Sequence, residues 1–340
     1  MKRKSRYNVC VVGVGVVGIE MLRVLRQRNF PVGELKVLAR SAREIDVGGQ
    51  RYSVQAISPE AFEGVDIALF AGTEGEKGAA VVYAKEAVKR GAVVIDNGAD
   101  FRMDPNVPLV VPEVNAKDVK KHKGIIANPN CSTIQMVVAL NPIHKKVGIK
   151  RIIVTTLQAS SGAGKGAVEQ LKAENIAISA GGCENLNVNV ERSMPQQLAY
   201  NVFPHIGSFV ECDYTNEEWK LVKETHKIMH AGKIKISATT VRVPVRTGHS
   251  ESVYIETGKP ITPNRVRELL SKAPGIIVMD DPKKNIYPMP KDVEGKDETF
   301  VGRIRRDCFV KNGLWLWVVA DNLRKGAATN AVQIAEVLIK

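Results

Sequence analysis

Over the first 130 residues, short apolar runs alternate with segments whose apolar positions recur at helical spacing. Asn8–Val12, Leu35–Ala39, Val65–Phe70 and Ala92–Asp96 read as strands, as does the run ending at Ala127. The segment opening at Ile19 and the stretch over 76–90 read as helices. Strands and helices in strict alternation predict a Rossmann-like, doubly wound parallel α/β sheet over residues 1–130. Beyond that point the pattern changes. Arg151–Gln158, Ile234–Val245, Ser252–Ile255 and Leu314–Val319 read as strands, with a helix from Asn216 to about His230. This points to a second, α+β domain over 131–320. The C-terminal segment 321–340, helical from Ala327 to about Ile339, is expected to complete the first domain. Irregular stretches near 177–200 and 279–299 are long enough to be functional or to contact another subunit.

Two junctions in the first domain carry chemistry. The first strand runs into Gly13-Val14-Gly15-Val16-Val17-Gly18 and then a helix, the strand–turn–helix setting in which G-x-G-x-x-G binds a dinucleotide. Gly13, Gly15 and Gly18 let backbone approach a pyrophosphate, which rests at the helix start formed by Val16 and Val17. The next strand ends in Arg40-Ser41-Ala42-Arg43. Two guanidiniums and a hydroxyl suit a 2′-phosphate, and no carboxylate is offered to a ribose diol, so NADP is expected over NAD.

The second junction is Asn128-Pro129-Asn130-Cys131-Ser132-Thr133. Pro129 holds Asn128 extended, and an apolar helical pattern opens after it. Cys131 is thereby set at a helix start, where unpaired N–H groups and the helix dipole favour a thiolate. A thiol nucleophile needs a nearby base, and His249 follows Gly248 at a strand boundary. Arg242, earlier along the same run, could clamp an anion in the same pocket. Arg102 falls at the C-terminal edge of the first sheet, where ligands bind.

Composition narrows the partners. Hydrophobic residues make up 44% and charged residues 25%, as in soluble globular proteins, and no apolar run approaches the length of a membrane helix. The basic start leads straight into a strand, so no signal peptide is expected. The five cysteines (10, 131, 183, 212, 308) include no C-x-x-C pair, which disfavours disulfides and zinc and suggests the cytoplasm. The net charge of +13 is spread along the chain and aromatics are only 5%, which favours anionic small molecules over nucleic acid. His226 and His230 lie four apart on a helix but lack a third ligand, so no metal is expected.

The ordered set of motifs resembles the aspartate-β-semialdehyde dehydrogenase family over nearly the whole chain. The set runs from the glycine loop at 13–18 through Val94-Ile95-Asp96-Asn97, Phe101-Arg102-Met103 and Val110–Asn115 to Asn128–Cys131. It continues with Gln158–Gly164, Asn216–Lys220, Arg242–Val245, His249-Ser250 and Asp321–Ala328. The resemblance implies NADPH-dependent reductive dephosphorylation of L-aspartyl-4-phosphate to aspartate semialdehyde, in lysine, methionine and threonine synthesis. It implies Cys131 as nucleophile, His249 as acid/base and Gln158 as orienter of the acyl group. Arg242 would bind the substrate carboxylate and Glu217 its amino group, with Arg102 and Lys220 on the phosphate and Asn130 also at the substrate. Arg40, Ser41, Arg43, Ser161, Gly162 and Asn322 would join the glycine loop around the cofactor. The family relation also implies a homodimer or homotetramer. Two loops depart from the family pattern, Ala71–Gly75 with its Glu74 and Asn97–Asp100 before Phe101. Rival readings are N-acetyl-γ-glutamyl-phosphate reductase, malonyl-CoA reductase, or a non-catalytic NADP-binding protein.

Overall fold

The computed structural model describes residues 3–72, 75, 77–181 and 190–340; Glu74 and Cys183 lie outside them. The chain forms two compact units. The first comprises Met1–Asn130, Lys227–Met229 and Gly326–Lys340, and the second comprises Cys131–His226 and His230–Lys325.

In the first unit, β1 (Tyr7–Val12), α1 (Val16–Gln27) and β2 (Val32–Ala39) are followed by the hairpin β3 (Arg43–Val47) and β4 (Gln50–Ala56). Then come β5 (Ile67–Phe70), α2 (Ala79–Lys89), β6 (Val93–Asp96), α3 (Pro112–Asn115) and β7 (Ile125–Ala127). The sheet order is β3-β4-β2-β1-β5-β6-β7, parallel throughout except for β3 against β4. That antiparallel hairpin was not legible in the hydrophobic pattern. Its signal was Gly48-Gly49, which turns the chain in two residues with φ of 63° and 80°, a conformation that costs glycine little.

Alternate residues of the central strands feed opposite cores. Val9, Val11, Ile67 and Leu69 pack with Met21, Leu22 and Leu25 of α1. Cys10, Val12, Ala68 and Phe70 pack with Ala80, Ala84 and Ala87 of α2. Strands buried on both faces explain the continuous apolar runs of the sequence.

The second unit opens with α4 (Cys131–Val147), β8 (Ile149–Gln158) and α5 (Lys165–Gly181). It continues with α6 (Asn216–Met229, of which Lys227–Met229 count with the first unit), β9 (Lys235–Arg242), β10 (His249–Thr257), α7 (Pro263–Ser271), β11 (Ile276–Val278), α8 (Pro290–Val293), β12 (Thr299–Arg306) and β13 (Gly313–Ala320). Its mixed sheet has the order β11-β12-β13-β10-β8-β9. After a π-helical turn at Arg324–Ala328, α9 (Thr329–Ile339) returns to the first unit and adds Ala331, Val332 and Ile334 to its core.

Two boundaries differ from the pattern-based reading. β10 begins at His249 rather than at Ser252, so the histidine is part of the ladder, opposite Ala320. β9 stops at Arg242, just before Val243-Pro244, because proline has no N–H to give to a sheet.

Candidate active site

Cys131 is half-buried and is the first residue of α4. The turn that precedes it is fixed by a web of amides. Asn128 donates to Asn97 Oδ1 at 2.6 Å, and Asn330 donates to Asn128 Oδ1 at 2.7 Å and to the Val110 carbonyl at 2.9 Å. The buried Arg102 donates to the Asn97 carbonyl at 2.8 Å, and its own carbonyl accepts from Lys227 at 2.7 Å. Asn130, also buried, closes the turn. Asn97, Asn330 and Lys227 were missed from sequence, because nothing local marks an amide as part of a long-range web. The thiol of Cys10 serves as a contrast. Burial on β1 pushes it up to about 12, so it stays a thiol and packs as a small hydrophobe.

The rest of the set comes together through strand register in the second unit. β10 and β8 run antiparallel with Ser250 opposite Leu157, which sets His249 opposite Gln158. Gln158 in turn pairs with Arg242 on β9. His249, Gln158 and Arg242 therefore form one cross-strand row on the buried face, all at most 2% exposed. From the middle of the row, Gln158 donates to Glu217 Oε1 at 3.1 Å, and Lys220 lies 3.5 Å from Glu217 Oε2.

α6 presents Glu217 and Lys220 from its first turns because a capping box fixes its start. Thr215 Oγ1 accepts from Glu218 N at 3.3 Å, and Glu218 Oε2 accepts from Thr215 N at 2.8 Å. The other oxygen of Glu218 accepts from Thr240 N at 3.0 Å, which ties the helix start to β9 two residues before Arg242.

Burial pushes the Arg242 guanidinium down, and the charges of Glu217 and Cys131 oppose that shift. Arg242 donates to the Ala159 carbonyl at 2.6 Å, and its Nε has no hydrogen-bond partner among the described residues. His249 is held well below the ordinary histidine range, first by burial and then by Arg242, so it is neutral near pH 7. Its Nδ1 accepts from Ala159 N at 3.0 Å. The proton of the neutral ring therefore sits on Nε2, which is buried and finds no partner among the described residues. A Cβ at Gly162 would lie 3.1 Å from that nitrogen, so glycine keeps the space open.

Asn322 donates to Ser161 Oγ at 2.9 Å, and its Oδ1 accepts from Gly248 N at 2.9 Å, which braces the residue before His249. His226 Nε2 is engaged by the Ile234 carbonyl at 2.8 Å, and no group of three His, Cys, Asp or Glu able to hold a metal occurs among the described residues.

The glycine loop fits a dinucleotide. Gly18 sits so close to the loop that a Cβ there would meet the Gly13 carbonyl. A Cβ at Gly15 would meet nothing within 4 Å, leaving open space at the exposed N-cap of α1, ahead of Val16 and Val17. Arg40, Ser41 and Arg43 are exposed where β2 ends and β3 begins, with Arg43 donating to Ser41 Oγ at 3.2 Å.

A nucleotide-binding sheet joined to a second unit with a row of polar side chains defines a two-domain dehydrogenase. Residues 8–122 match the family model "Semialdehyde dehydrogenase, NAD binding domain" and residues 140–325 match "Semialdehyde dehydrogenase, dimerisation domain". The chain belongs to the aspartate-semialdehyde dehydrogenases, NAD(P)-binding oxidoreductases. It is 55% identical to the aspartate-semialdehyde dehydrogenase of Aquifex aeolicus, covering 98% of each chain. A Vibrio cholerae aspartate semialdehyde dehydrogenase II, solved complexed with ASA, superposes with a TM-score of 0.92 at 43% identity, covering 99% of each chain. A Candida albicans enzyme solved with NADP superposes at 0.74 with 26% identity, covering 98% of each.

Proposed function

We propose that this chain catalyses the NADPH-dependent reductive dephosphorylation of L-aspartyl-4-phosphate to L-aspartate 4-semialdehyde, a step of lysine, methionine and threonine synthesis. The observation that carries the reading is the row His249–Gln158–Arg242, with Glu217 bonded to its middle member and Cys131 at the start of α4. A substrate with a carboxylate, an ammonium and a phosphate needs a cation, an anion and a further cation. Arg242, Glu217 and the pair Arg102 and Lys220 match those needs, with Asn130 beside the nucleophile.

The Cys131 thiolate attacks the acyl carbon, a C–S bond forms, the acyl C–O bond to phosphate breaks and inorganic phosphate leaves. NADPH, when bound, supplies the hydride that reduces the resulting thioester. The Nε2–H of neutral His249 donates a hydrogen bond to the oxyanion, and collapse of that alkoxide breaks the C–S bond, which returns the thiolate and frees the aldehyde. Backbone N–H groups at the start of α4 share that oxyanion load, and Gln158 orients the acyl group. Gly13, Gly15, Val16, Val17 and Gly18 hold the pyrophosphate, Arg40, Ser41 and Arg43 the 2′-phosphate, and Ser161, Gly162 and Asn322 complete the cofactor's surroundings. The Candida relative solved with NADP supports that cofactor. The Vibrio relative complexed with ASA supports the substrate, read as aspartate semialdehyde.

We also propose a homodimer through the second unit, with a homotetramer as its doubled form. One face of its sheet carries Ile153, Leu157, Val241 and Trp315, exposed or half-buried. Cytoplasmic residence accords with this reading, and no helix among the described residues is long and apolar enough to cross a membrane.

Purified protein should reduce NADP⁺ with aspartate semialdehyde only when phosphate is present. Faster turnover of N-acetylglutamate semialdehyde or malonate semialdehyde would replace the proposed substrate, since neither has an amine for Glu217.

A further inference from the structure

Two residues past His249 on the same strand face lies Glu251, a carboxyl that the chemistry above does not use. It is 0% exposed, and neither oxygen has a hydrogen-bond partner among the described residues. Register places it in a second row directly behind the first, between Val318 on β13 and Thr156 on β8, with Thr240 beyond. α4, which packs on β10, carries Gln135 one helical turn after Cys131. Gln135 Nε2 donates to the His249 carbonyl at 3.4 Å, while its Oε1 is buried without a partner. The two orphans are complementary. A protonated carboxyl has one O–H to give and Gln135 has one amide oxygen to receive it.

We propose that Glu251 is a positioning residue that works as a neutral acid: its O–H donates to Gln135, whose amide grips the His249 backbone and so fixes the Cys131 helix over the strand that carries the acid/base. Burial holds the Glu251 carboxyl well above the ordinary carboxylate range, against a smaller pull downward from the Gln135 amide. Among the described residues no cation is hydrogen-bonded to it: its register neighbours are Thr156 on β8 and Val318 on β13, Gln135 approaches it from α4, and Arg242 lies two strands away in the front row. A neutral acid also leaves His249 neutral, whereas a carboxylate on the same strand would draw a proton onto the ring. The chain Glu251, Gln135, His249 carbonyl thus ties nucleophile to acid/base through a helix and a strand, without touching substrate.

The role rests on the dehydrogenase reading, and the experiment keeps the two separable. Glu251→Gln replaces the acid's O–H with an amide N–H and should keep kcat within about twofold of the parent. Glu251→Leu and Gln135→Leu should each lower kcat by about a hundredfold with KM little changed, because a small misplacement of reacting groups costs that much. The double variant should be no worse than the worse single one. A substrate-free readout runs alongside: alkylation of Cys131 against pH, followed on its own peptide by mass spectrometry because Cys212 and Cys308 are also exposed. Infrared difference spectra should show a protonated-carboxyl band in the parent that Glu251→Gln removes. The proposal is overturned if Glu251→Gln is as damaged as Glu251→Leu, if Glu251→Leu turns over normally, if the single losses multiply, or if the infrared band is absent. Loss of the assay in the parent protein would sink the substrate assignment alone, since alkylation and infrared would still report on Glu251.

Discussion

The two sheets are built to opposite rules. In the first, both faces are apolar. Leu69 and Phe70 point to different cores, both at most 1% exposed, and the groups that suit a ligand sit in loops beyond the strand ends. In the second, the covered face is apolar along Val154, Val253 and Leu316 but carries polar side chains towards one end, with His249, Gln158 and Arg242 in one row and Glu251, Thr156 and Thr240 in the next. The first sheet offers backbone geometry and needs only glycines and a helix start. The second offers side chains, which must be buried to be held still, and buried polar groups each need a partner.

Substitutions can break that contrast or sharpen it. Cys131→Ala should remove turnover by about 10⁴-fold or more, leaving folding intact, as measured by kcat and thermal unfolding. His249→Asn should cost about 10²- to 10⁴-fold in kcat, because it removes the Nε2 donor while its Oδ1 can still accept from Ala159 N. In the first sheet the equivalent core change should act on stability alone. Leu69→Ala should destabilise by about 2–5 kcal/mol in urea titration, with kcat of the folded fraction unchanged. A large fall in kcat there would erase the distinction between the sheets. Arg40→Ala should weaken NADP binding by about tenfold and leave NAD nearly untouched; equal losses would remove the case for a 2′-phosphate contact.

The smallest effect is one of pH. The Glu251 carboxyl titrates near pH 4.3 in the unfolded chain, roughly, but well above that when buried. Over the window between, the folded state holds a proton the unfolded state has lost, so rising pH costs stability. Glu251→Gln does not titrate and should gain on the parent as pH climbs from about 4 to 8, with no gain at the acid end. The depressed His249 titrates the opposite way, destabilising below about pH 6.5, and cancels because both proteins carry it. A constant difference in melting temperature across that range would contradict a neutral buried acid.

How much of this was legible follows from the same contrast. The glycine loop, the arginines after β2 and the cysteine at a helix start are local in sequence, and each was readable. The pattern predicts Ser252–Ile255 as a strand with His249 at a strand boundary, and the first three residues of β10 escape it because Gly248 precedes them. The second row was invisible, because Glu251 becomes a neighbour of Gln135 only once β10 is paired and α4 is laid across it. A charged residue alternating along a strand otherwise looks solvent-facing. The capping box at Thr215–Glu218 was present as T-x-x-E and could have marked the start of α6.

Gly162 contributes no side-chain atom to any reaction, yet a single methyl there would lie 3.0 Å from His249 Cε1. A methyl is accommodated only where the imidazole gives way by a few tenths of an ångström, so the closeness of loop and ring is set by a side chain that is missing.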